Sequence, residues 1–227
     1  MTQVKCYQGR HVVSSYLARG VFSLSTGILL TILMLSPWAE FLEDRNLTFH
    51  MLAEHIGFTL GAVLISYGSE YIILAKVASW GRNGQTRLLN SIYIRLIKIN
   101  RKINIHGRIG ALVSAFLLAY WHIPTNFNQA VIDDVSHIIM HISIIVVGLM
   151  IFANIKVLSR VELVAHAVIL GQAMLVGGIV LIITPVHFYL PYPITQQAET
   201  GLAMAAPHPF ILASLLVYAI THYLWRE

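Results

Sequence analysis

Residues 131–157 read VIDDVSHIIMHISIIVVGLMIFANIKV, with no Asp, Glu, Lys or Arg between Asp134 and Lys156. A helix of roughly 20 apolar residues crosses a bilayer, so this stretch sets the class: a membrane-spanning helix. It also carries His137 and His141. Four residues apart, they share one helical face about one turn apart.

The same reading extends outward. Of the 227 residues, 57% are apolar and only 11% charged, too greasy for an ordinary soluble domain. Further apolar runs cover about 16–37, 49–77, 107–123, 161–185 and 209–225. The expectation is all-α: one integral membrane domain over 1–227, a polytopic bundle of six transmembrane helices. Lys5 and Arg10 precede the first run. That run is too long for a signal peptide and lacks a small-residue cleavage site, so it reads as a retained first helix. The single cysteine, Cys6, excludes an internal disulfide, a C-x-x-C redox motif and a multi-thiolate metal site.

Between the second and third runs, residues 78–105 are rich in basic side chains. Arg87, Arg95 and Lys98 interleave with Leu88, Leu89, Ile92, Ile94, Leu96 and Ile97. That pattern reads as a basic amphipathic interfacial helix, with membrane lipids as its partner. With the N-terminus inside, only Arg45 of the 15 Lys and Arg residues falls on the outer side. This positive-inside bias requires an even number of spans and places both termini in the cytoplasm of a multi-pass plasma-membrane protein. The outer loops instead carry Glu40, Glu43, Asp44, Asp133, Asp134 and Glu199. The formal charge of +5 then reflects basic loops facing anionic lipid, and no nucleic-acid partner is expected.

Seven of the 11 histidines fall at the outer ends of the spans: His50, His55, His122, His137, His141, His187 and His208. Imidazoles near lipid are costly without a partner, and a shared metal is the simplest one. His137 and His141 are the sharpest pair. They lack the intervening glutamate of a zinc-protease H-E-x-x-H helix and so its general base. In the second span, His50 with Glu54 and Met51 with His55 are each four apart. His50 and His55 are five apart and diverge on an ideal α-helix, so only one of the two is expected to face inward. His122 could close the outer site, whereas His187 and His208 read as loop or cap residues. Trp121 reads as an interfacial anchor. Imidazole with thioether from Met51, Met140 or Met204 favours copper, especially Cu(I), with zinc possible. Glu70 is expected to pair with Lys76 or Arg108, and His166 to hydrogen-bond near Glu162. Gly57 with Gly61, and Gly177 with Gly178, are expected to allow close helix packing.

Three stretches resemble the CtaG-type cytochrome c oxidase assembly factors and their archaeal relatives. The first runs from Arg19 to Trp38 and ends in Leu-Ser-Pro-Trp. The second is Phe49-His50-Met51-Leu52-Ala53-Glu54-His55, similar to that family's His-Met-x-x-His stretch but with one more residue between the histidines. The third is Trp121-His122-Ile123-Pro124, followed by Phe127, Ala130, His137 and His141. The resemblance implies a membrane protein that helps mature a heme-copper oxidase by handling copper at its outer face. The matching positions are His50, Met51, His55, His122, His137 and His141. An assembly role implies no enzymatic turnover. Two alternatives stand beside it: a b-type heme electron-transfer protein with bis-histidine ligation, and a structural subunit of a larger membrane complex.

Overall fold

The computed structural model describes residues 2–79, 84–104 and 107–209, with 213, 214 and 217. Every regular element among them is helical. The helices are α1 (Thr2–Met34), α2 (Pro37–Glu43), α3 (His55–Ser79), α4 (Gly84–Ile103), α5 (Arg108–His122), α6 (Pro124–Ile132), α7 (Asp134–Ile155), α8 (Arg160–Ile183) and α9 (Ile194–Ala205); a π-helical turn, Phe49–Glu54, leads into α3.

Start signals are local. Ser36 accepts the Ala39 N–H at 3.3 Å, and Pro37 occupies the first turn of α2. Asp133 caps α7 by accepting the Ser136 N–H at 2.8 Å. Ser159 and Glu162 form a reciprocal capping box at α8. Each satisfies N–H groups that a helix start leaves without partners.

Among the described residues, four stretches are long and apolar enough to cross a membrane: Val13–Met34, Phe49–Lys76, Asp134–Ile155 and Arg160–Ile183. The third expected span differs. α5 has 15 residues, about 22 Å at the helical rise and short of a hydrocarbon core about 30 Å thick. It continues Ser91–Ile103 across a 74° bend, and only this bent pair gives a fifth candidate span. Gly107 sits at the bend with φ 96°, the left-handed region glycine tolerates. Asn104 pins the corner: its amide donates to Asn154 Oδ1 at 3.0 Å, and its carbonyl oxygen accepts the Gly110 N–H. Along α4, Leu88, Ile92, Leu96, Ile99 and Ile103 form an exposed apolar stripe at helical spacing.

α3 is the hub. α1 packs antiparallel to it through glycines: Gly20 meets Ile72, Gly27 meets Gly61 and Ile65, and Met34 meets Gly57. Small residues let two backbones approach where lipid supplies no hydrophobic drive. α7 runs parallel to α3, as the pairs Phe58–His141, Ala62–Gly148, Tyr67–Phe152 and Glu70–Lys156 show. α5 lies antiparallel to α7. Glu70 takes Lys156 Nζ at 2.5 Å and the Tyr93 hydroxyl, while Arg108 pairs with Glu162 at 2.8 Å. The expected Glu70–Arg108 pair is therefore not formed. His166 Nε2 makes no hydrogen bond, because Glu162 is committed to Arg108 and Ser159. Trp121 is buried in the core.

The sixth expected span, 209–225, lies almost wholly outside the described residues. The loop expected before it contains α9, which descends antiparallel to α8: Gly201 abuts Gly178, Met204 abuts Gly177 and His208 abuts Gly171. Gly171 is midway along α8, so His208 is at mid-helix depth and not with the terminal histidines. Its Nε2 lies 3.2 Å from the Gln172 amide nitrogen.

A Cβ at Gly27 would stand 2.7 Å from the Ile65 nitrogen and 2.8 Å from the Gly61 oxygen, both backbone atoms that cannot yield cheaply. Gly27→Leu should destabilise the bundle by about 1–3 kcal/mol, while Phe22→Leu, at a 74% exposed position on the same helix, should change little. Thermal unfolding of the detergent-solubilised protein measures both.

Candidate metal centre

The entry to α3 builds the site. Phe49–Glu54 is wound as a π-helix, whose i→i+5 repeat stacks residues five apart. His50 and His55 are five apart, and both are buried, at 1% and 5% exposure. The expectation that one would turn outward fails because the backbone is not α-helical there. The turn is held from outside: Leu47 N–H donates to Gln196 Oε1 at 2.8 Å, and the Thr48 and Thr200 hydroxyls are 2.9 Å apart.

The residues 40–45, expected as an acidic loop, belong largely to α2. That short helix turns Glu43 into the interior, where it is 3% exposed. Glu54, on the inner face of the π-turn, is fully buried. α7 presents His137 and His141 to both. One donor atom from each of Glu43, Glu54, His137 and His141 lies within 4.8 Å of all the others. His141 Nε2 contacts Glu54 Oε1, and His137 Nε2 is 3.7 Å from Glu43 Oε1. His50 Nε2 closes the group, 3.5 Å from Glu54 Oε2. Its ring lies 5.2 Å from that of His137, and His137 lies 4.2 Å from His141. Donors about 2.0–2.2 Å from a tetrahedral ion stand about 3.4 Å apart, close to the His50–Glu54 and His137–Glu43 separations.

The polar accounting is unusual. Glu43 Oε2, Glu54 Oε2 and Nε2 of His50 and His137 are buried without a hydrogen bond, and His141 Nε2 and Glu54 Oε1 have none beyond their mutual contact. Buried polar atoms are normally satisfied, and each orphan costs about 1–3 kcal/mol. The His50 tautomer follows from its neighbours. Tyr192 Oη donates to the Glu43 carbonyl at 2.6 Å, so it can only accept from His50 Nδ1, 2.7 Å away. A neutral His50 therefore carries its proton on Nδ1 and aims the Nε2 lone pair at the Glu54 carboxyl. A lone pair facing a carboxylate is repulsive unless a cation or a proton stands between them. Holding Nδ1–H with an outer partner is also how metal-ligating histidines are oriented. Burial, and then the Glu54 carboxyl beside it, push the Glu43 carboxyl up to about 8.

The other expected ligands lie elsewhere. His55 and His122 form their own pair, with ring centroids 5.3 Å apart. Met51 is buried in the apolar core with Met140, Phe58 and Phe127. His187 donates to the Tyr192 carbonyl at 2.6 Å, a loop role as expected. Sequence reasoning missed Glu43 and underrated Glu54. The signal for Glu54 was its spacing of four from His50. Glu43 had no comparable signal, because only the fold of α2 brings it inward.

No curated protein and no solved structure matches the chain. One family model matches residues 25–225, a stretch that contains every residue of the cluster; its description is protein of unknown function (DUF1404). The chain belongs to the DUF1404 family.

Proposed function

We propose that the protein is a membrane metalloprotein that holds a divalent transition-metal ion through His137, His141, Glu43 and Glu54, with His50 as a further donor. One observation carries this reading: buried imidazole nitrogens and carboxylate oxygens from three separate elements converge within a few ångströms, with few hydrogen bonds to anything outside the group. A bound cation satisfies all of them at once. When bound, it would supply a Lewis-acidic or exchangeable metal position in a low-dielectric pocket. The protein's own residues do the rest: Tyr192 orients His50, and the π-turn and α2 hold the two carboxylates.

The donor set refines the choice of metal. Carboxylate with imidazole is harder than the His/Met set expected from the sequence, and it suits Zn(II) or Cu(II) better than Cu(I). Maturation of a heme-copper oxidase remains the role implied by the resemblance, with the ion as cargo and the plasma membrane as the location. Within that role, Cu(II) is the copper form these donors favour. A bis-histidine heme fits less well, since the histidine pairs are in ring contact and leave no gap for a macrocycle between them.

Elemental analysis of protein purified without chelator should find bound metal. The double variant His137→Ala with His141→Ala should lose it, and unchanged metal content in that variant would sink the site. Tyr192→Phe should weaken affinity by about 10–100-fold without abolishing binding, as loss of an orienting partner does.

Glu43 also sets a pH dependence. In the unfolded chain its proton leaves near 4.5, and in the folded metal-free protein near 8. Its contribution to stability is therefore fully present below 4.5 and is lost as pH rises through 8. Thermal stability of the chelated protein should fall across that window, and Glu43→Gln should flatten the fall. Metal binding requires the proton to leave, so apparent affinity should rise over the same window.

A further inference from the structure

We infer that His55 and His122 hold a second metal ion beside the first, making the centre binuclear. The inference rests on the metal reading above and extends it to residues outside the first donor group.

His55 follows Glu54 directly and is 5% exposed, yet neither ring nitrogen has a hydrogen bond. A neutral imidazole has one N–H and one lone pair, so both are orphaned, and each costs about 1–3 kcal/mol. Its ring faces His122, at the end of α5. His122 is already oriented. Its Nδ1–H donates to the Leu118 carbonyl at 2.6 Å, and its own carbonyl accepts from Tyr189 Oη at 2.9 Å. The proton on Nδ1 leaves the lone pair on Nε2. A backbone carbonyl holding the far N–H is the outer-shell arrangement of a metal-ligating histidine.

The spacing agrees. Two imidazoles on one tetrahedral ion, with metal–nitrogen bonds of about 2.0–2.1 Å, place their ring centroids about 5 Å apart. His55 and His122 are 5.3 Å apart, inclined by 71°. The first ion has four or five protein donors, and the second has two, His55 and His122. Open coordination positions therefore belong to the second ion, and a small oxygen or nitrogen ligand would bind there.

The test is metal stoichiometry on the full-length protein, by elemental analysis and by cobalt(II) titration followed in the visible spectrum. Wild type should bind two ions per chain. His55→Ala and, separately, His122→Gln should each bind one, with the visible bands of the first site retained. His122→Gln serves if His55→Ala fails to fold, since His122 is only partly buried at a helix end. One ion in wild type, unchanged in His122→Gln, overturns the second site and leaves the first standing; the two rings then simply pack edge to face. Two ions retained in both variants also overturns it. No ion in wild type overturns both readings.

Discussion

Two carboxyl groups buried against imidazoles at one end of an apolar helix bundle form the constraint on which the rest of this structure depends. Glu43 and Glu54 lie close to each other, with His50, His137 and His141 against them. An isolated carboxylate is very costly in such a medium, so the group either keeps a proton or is matched by a cation. Much of the local architecture serves to hold that unfavourable arrangement. A π-turn replaces the first turn of α3, a capped two-turn helix folds back to deliver Glu43, and Tyr192 clamps His50 to the Glu43 backbone. Unusual helical geometry of this kind recurs at functional sites.

The opposite end of the same two helices shows what a purely structural solution looks like. There Glu70 of α3 faces α7, as Glu54 does, but it meets Lys156 and the Tyr93 hydroxyl. Charge and hydrogen-bonding capacity are both answered within the chain. One helix pair thus carries a carboxylate answered by a lysine and a hydroxyl at one end and a carboxylate that meets imidazoles at the other. A need to stabilise the fold accounts for the first, and a cation or a retained proton would answer the second. The glycine contacts between α1 and α3, and Gly148 against α3, keep the helices close enough for both ends to form.

Much of the architecture was legible because lipid imposes a simple rule. The runs at 16–37, 49–77, 131–157 and 161–185 correspond to the four long apolar helices. Hydropathy is less telling where a helix is short or bent. α5 is too brief to cross alone, and a left-handed glycine with an asparagine corner joins it to α4. α9 is moderately apolar and flanked by prolines, so it read as loop, which misplaced His208. Within the site, His137 and His141 were legible from periodicity. His50 and His55 were read against an α-helical ruler that the backbone does not follow.

The sequence by itself determined a membrane helix bundle, its main spans and the concentration of imidazole toward one end, because hydropathy and a four-residue spacing act locally. The tertiary structure decided which of those histidines face each other and which carboxylates they meet. It separated His50, His137 and His141 from His55 and His122, and it brought Glu43 in from a segment with no sequence sign of burial. The physical reason is that ligand geometry depends on contacts across elements. Glu43, Glu54 and His137 meet only through the winding of a π-turn, the direction of a capped helix and the parallel packing of α3 on α7.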